Sequence, residues 1–275
     1  VKKDLSQTEL EFIREAYRYI ENPSFLVKAT ESLKSPIDRG ISALPQTAQK
    51  AISTATERAL KAALQTALFS LKSKSSSSEQ PFETALRGQR LSDRLHGAAT
   101  LVTGAAGGMF GFASLPVELP LTTTLMLRSI AQIASSFGAD LNDPKTQLDC
   151  LFVLSAGSNY YSTRISFSLV AKEALTFLAN RGAASIAEIL LHGGSPVLIR
   201  LLSMIAARFQ MVVTEKIVAQ SVPVVGAFAG GAINFAFTDH FNKLAKYHFG
   251  LKKLESIYGE DVIRGIYDSN SAQRA

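Results

Sequence analysis

There is no tryptophan in this chain and only one cysteine, Cys150. A lone cysteine excludes an intramolecular disulfide and a zinc site built on several thiolates. It agrees with cytoplasmic residence. The lack of indoles removes the usual aromatic anchor of a membrane-spanning protein. No HExxH, GxSxG, GxxxxGK[ST] or paired CxxC occurs, so the common hydrolase, nucleotide and zinc signatures are missing. Gly104 to Gly111 lacks the GxGxxG order, and no strand precedes it. Strand-type alternation of Val, Ile and Thr is absent, and no period of 20 to 50 residues repeats. No secretory signal pattern opens the chain at Val1, although removal of an earlier segment stays open.

What is present reads as helix. Ser6-Gln7-Thr8-Glu9 is a capping box, followed by Phe12, Ile13, Ala16, Tyr17 and Ile20 at helical spacing. Ser35-Pro36-Ile37-Asp38 is a second N-terminal signal. Residues 46–72 carry a small-residue stripe of Ile52, Ala55, Ala59, Ala63, Ala67, Leu68 and Leu71. Asn142-Asp143-Pro144 caps another helix, 166–181 reads as helix, and a further helix follows Pro196 to about Ala219. Residues 239–258 form a polar, mixed-charge helix that ends at Gly259, and 260–267 a last short one.

The expected fold is therefore all-α, a multi-helix bundle. An N-terminal helical arm spans 1–71, a serine-rich flexible loop 72–81 and a helical core 82–268. Two charge-free, glycine-rich segments, 97–117 and 217–238, are long enough to span a bilayer. Their Gly, Ala, Ser and Thr content, with Pro116 and Pro223, points instead to tight helix packing. Membrane insertion remains the alternative. Gly226, Gly230 and Asn234 lie four apart and share one helix face.

Hydrophobic residues make up 47% and mean hydropathy is +0.13, high for a soluble protein and low for a polytopic membrane protein. The net charge is +6, and residues 40–100 hold eight Lys/Arg against four Asp/Glu. This surplus suits an anionic membrane surface. Arg87, Arg90 and Arg94 crowd one side of an expected basic helix. Aromatics are too few beside them for nucleic-acid binding.

Several stretches together resemble the EcsC family, named for a protein encoded beside an ABC-transporter operon. They are Gly104-Ala-Ala-Gly107-Gly108-Met-Phe-Gly111, Leu115-Pro116-Val117-Glu118-Leu119-Pro120, and Leu127 to Ala134 with Phe137-Gly138. Val222 to Gly226, Gly230-Gly231, Asn234, His248-Phe249, Leu254-Glu255 and Tyr258-Gly259 continue the likeness, which covers roughly residues 40–265. The resemblance implies a helical protein linked to membranes and secretion. It implies no catalytic residues.

The leading expectation is a non-enzymatic, membrane-peripheral cytoplasmic protein that binds lipid or another apolar ligand between helices. Candidate ligand residues are Phe110, Phe112, Glu118, Arg128, Tyr160, Tyr161, Phe228 and Asn234. Phe235 and Phe237 are further aromatics of that kind, and core packing is the more common fate of all of them. Glu118 is expected to pair with Arg128 across a proline kink. One alternative is an enzyme acting on a lipid or peptide at the membrane through Glu118, Arg128, Asp239 or His240. Another is a soluble adaptor of an ABC transporter or secretion complex. Asp239-His240 is expected at a solvent-facing helix boundary, and with His248 it makes a weak metal pattern. No cofactor or metal site is assigned.

Overall fold

The computed structural model describes residues 4–21, 44–70, 82–84, 86, 115–156, 159–181, 196–221 and 229–272. Of these, the side chains at 61–70, 115–118, 178, 181, 198, 208, 215–217, 219–221, 229–234 and 271–272 are not described. The described elements are all helices: α1 (Gln7–Ile20), α2 (Gln46–Ser70), α3 (Leu115–Ser136), α4 (Pro144–Val153), α5 (Tyr160–Arg181), α6 (Pro196–Ser221), α7 (Ala229–Tyr258) and α8 (Glu260–Ala272). No strand occurs among the described residues. The protein is an all-α multi-helix bundle.

Local chemistry sets most helix ends. The Ser6 hydroxyl accepts from the Glu9 amide, and Glu9 Oε2 accepts from the Ser6 amide at 2.8 Å, closing the capping box of α1. Asp143 caps α4 by accepting from the Lys145 amide at 2.9 Å, with Pro144 in the first turn. Gly259, at φ +95°, ends α7 in the left-handed region that glycine enters without strain. The start of α5 is different. Asn159 (φ 59°) and Tyr160 donate their amides to the Glu21 carboxylate at 2.7 and 3.1 Å, and Glu21 sits just beyond α1. A carboxylate from elsewhere in the chain thus caps this helix and meets its positive dipole end. That is why α5 begins six residues earlier than its own hydrophobic spacing suggests.

α7 is the axis of the bundle: α1, α3, α4, α6 and α8 all pack against it. Its Phe241, Leu244, Ala245, His248, Leu251 and Leu254 are buried. The sequence presents this segment as a polar, mixed-charge helix. Its lysines lie on the margins of a deeply buried rod. α2 packs along α3 and α6. Ile52, Thr56 and Ala59 from α2 and Thr123, Ser129, Ala131 and Ala134 from α3 are buried. Small side chains on both helices allow close approach, as the alanine stripe suggested. Helices α1 and α2 contribute Phe12, Ile13, Ile20, Ile52 and Leu60 to the same core as the C-terminal helices.

Residues 97–114 and 222–228 of the two glycine-rich segments lie outside the described residues, as do the side chains at 229–234, and so does the tight packing expected of them. Among the described residues, no helix is long and apolar enough to cross a membrane.

Candidate functional site

The richest polar chemistry in the described structure lies where α4, α5, α7 and α8 meet. On α7, His248, Lys252 and Glu255 follow at i, i+4 and i+7 and so share one face. On α5, Tyr160, Tyr161 and Arg164 stand within the first two turns. Tyr160 is fully buried among Phe152, Tyr161 and Tyr267. Its hydroxyl lies 2.7 Å from His248 Nδ1. The other imidazole nitrogen, Nε2, is buried with no hydrogen-bond partner and lies 3.9 Å from Asp149 Oδ1 on α4. Asp149 Oδ2 is held by Lys252.

A second set adjoins the first. Arg164 donates both terminal nitrogens to Glu255, each at 2.6 Å, in a bidentate pair. Tyr161 donates to Glu255 Oε1 at 2.9 Å, and Tyr267 on α8 donates to Glu21 at 3.0 Å. These contacts join five helices through groups that cannot be left unpaired cheaply.

The electrostatics follow from burial. The Tyr160 and Tyr161 phenols are pushed well above their ordinary range, first by desolvation. His248 is held well below the usual imidazole range by burial, reinforced by Lys252 and Arg164. It is therefore neutral in the folded protein. The unfolded chain takes up a proton at this histidine near pH 6.5 and the native state does not. Stability should fall as pH drops below about 6.5, with a slope of up to about 1.4 kcal/mol per pH unit from this group. Urea melts between pH 8 and 5 should show this slope in the wild type and lose it in His248→Gln. An unchanged slope in the variant would remove His248 as its source.

The network reaches solvent on one side. Asp149 and Lys252 form part of the wall of an open depression of about 290 Å³ between the first turn of α4 and the C-terminal half of α7. Lys145, Lys253, Asp143 and Gly138 also line it. The lining therefore carries three ammonium groups and two carboxylates.

A family model, the EcsC protein family, matches residues 7–254. The chain belongs to the EcsC family. The match begins ahead of residue 40, where the sequence resemblance starts, and so takes in α1 as well. It ends one residue before Glu255. Tyr160, His248, Asp149 and Lys252 all lie inside the EcsC span. Comparison with curated proteins and with solved structures gave no match.

The residues picked from the EcsC sequence divide into three groups. Tyr160 and Tyr161 are the heart of the network, as core side chains bearing polar tips. Arg128 is half-buried on α3. Phe110, Phe112, Phe228, Arg87, Arg90 and Arg94 lie outside the described residues, as do the side chains of Glu118 and Asn234. The expected Glu118–Arg128 pair involves a side chain that lies outside the described ones. Both positions belong to the single helix α3, with Pro120 inside it.

Two further expectations change. His240 is not at a solvent-facing boundary; it is buried within α7, 3.1 Å from the Tyr19 hydroxyl. Asp239 instead forms an ion pair with Lys243 at 2.7 Å. His240 faces α1 while His248 faces α5, and no metal-binding cluster occurs among the described residues. Phe237 packs into the core against Phe209 and Phe241, whereas Phe235 is exposed. Asp149 and Lys252 were missed as site residues. The spacing of His248, Lys252 and Glu255 was a usable signal, but nothing local tied it to Asp149.

Proposed function

We propose that this protein is a non-enzymatic, membrane-peripheral lipid binder that meets an anionic membrane surface with the outer face of α5 and α6. The observation that carries this reading is an exposed apolar face. Leu169 (63% exposed) and Ile165 stand one turn apart on α5, and Met211 (68% exposed) and Ile199 stand on α6, which packs against α5. The described exposed positions of α6 are Pro196, Ile199, Arg200, Ser203, Ala207 and Met211, with one basic and no acidic residue. Lys172 and Glu173 are both exposed about one turn beyond Leu169. Exposed apolar residues suit insertion into the headgroup region of a leaflet, and Arg200 and Lys172 add attraction to an anionic one.

A ligand enclosed between helices has less support, because aromatic side chains such as Phe12, Phe82, Phe137, Phe209 and Phe241 fill the described core. The enzymatic reading also has less support. His248 is sealed from solvent, His240 is engaged by Tyr19, and Arg164 is held by Glu255.

Vesicle co-sedimentation tests the proposal. Wild type should bind phosphatidylserine-containing vesicles more tightly than phosphatidylcholine alone, with the difference screened by salt. Leu169→Ser combined with Met211→Ser removes roughly 3 kcal/mol of apolar burial, about a hundredfold in partitioning. Equal binding by the double variant would discard this face. No wild-type binding to either vesicle would favour a protein-binding adaptor.

A further inference from the structure

The carboxylate of Asp149 stands between two claimants. One oxygen holds Lys252; the other lies 3.9 Å from His248 Nε2, a buried nitrogen with no hydrogen-bond partner. Because the Tyr160 hydroxyl is at Nδ1, donating its proton there leaves the imidazole hydrogen on Nε2, aimed at Asp149. A carboxylate movement of about 1 Å would bring that contact to ordinary hydrogen-bond length. Lys252 holds the carboxylate back.

We propose that the depression between α4 and α7 binds a phosphate-bearing ligand through Lys252, with Lys145 and Lys253, and that its occupancy transfers Asp149 from Lys252 to His248. A phosphate offers an ammonium group more charge and more acceptor oxygens than a carboxylate does. The depression is open, has room at about 290 Å³, and is lined by three lysines against Asp143 and Asp149. Asp143 already accepts from the Lys145 amide at 2.9 Å as the cap of α4. Once a phosphate draws Lys252 away, Asp149 is left beside a buried donor that needs an acceptor. Site occupancy is thereby coupled to a chain running Asp149–His248–Tyr160 into the core. The proposal deepens the lipid-surface reading by giving a phospholipid headgroup a seat, and rests on it only for that source of phosphate.

The experiment is nitrogen-15 NMR of the full chain labelled at histidine, with the His248 signals assigned through His248→Gln. Inorganic phosphate should shift the His248 Nε2 resonance saturably, and chloride at equal ionic strength should not. Lys252→Met should begin with the shifted resonance and lose the response, while Lys252→Arg should retain it. Lys145→Gln, which leaves Asp149 and His248 untouched, should weaken the response about fivefold. Vesicles of phosphatidylcholine with phosphatidic acid form a second arm. A response to them without one to inorganic phosphate assigns the seat to a headgroup, and a response to both assigns it to phosphate generally. A phosphate response that persists in the Leu169→Ser, Met211→Ser protein supports the site even if vesicle binding is lost. No saturable shift in either arm would overturn the proposal.

Discussion

Glu255→Ala should destabilise the protein by about 3 kcal/mol, the low end of the range for breaking a buried ion pair. The Glu255 side chain is only 7% exposed and accepts three hydrogen bonds, two from Arg164 and one from Tyr161. Its removal strands a guanidinium that is itself 17% exposed, where water compensates poorly. Burial disfavours charge on Arg164, and the Glu255 contacts more than offset that cost. The Tyr161 hydroxyl loses its acceptor in the same step. A combined Arg164→Met, Glu255→Leu protein removes both charges and should be markedly less destabilised than Glu255→Ala. A double-mutant cycle read by urea denaturation decides the matter. A Glu255→Ala protein within 1 kcal/mol of wild type would mean that the pair is solvated in solution.

The second large effect concerns Gly250. A Cβ at this position would collide with the end of the Phe12 ring. That ring cannot swing aside freely. Phe12 is 3% exposed, with Phe82 edge-on at 5.0 Å and Tyr247 at 5.5 Å. Gly250→Leu should therefore cost about 3 kcal/mol, near the top of the usual overpacking range. Alanine should also be unfavourable, although its helix propensity returns about 1 kcal/mol. Combining Gly250→Leu with Phe12→Ala should recover part of the loss, because the new side chain occupies the vacated space. A Gly250→Leu protein that denatures like wild type would show that α1 does not press on α7 there.

The glycines that attracted attention in the sequence were the clustered ones at 104–111 and 226–231, because clusters are visible without a fold. Gly250 is isolated between Phe249 and Leu251, and only the arrival of Phe12 from α1, more than 200 residues earlier, gives it a role. His240 was misread for the same reason. Next to Asp239 it resembles a solvated pair, yet α1 covers it with Tyr19.

The features legible in the chain were those governed by neighbours in sequence. The capping box at Ser6, the Asp143-Pro144 start and the Gly259 stop each satisfy backbone groups within a few residues, so residue order was enough. Helical periodicity without strand alternation likewise settled the all-α class. The beginning of α5 at Tyr160 was not legible, since its cap, Glu21, is 138 residues from Asn159. Nor was the pairing of charges. Arg164 could have met any acid in the chain until α7 was laid beside α5. Asp149 faced Lys252 and His248 only once α4 had docked. Hydrogen bonds and ion pairs act over a few ångströms of space whatever the separation along the chain. The sequence alone could therefore supply the helices and their ends, while only tertiary packing decided which polar groups meet and where their network opens to solvent.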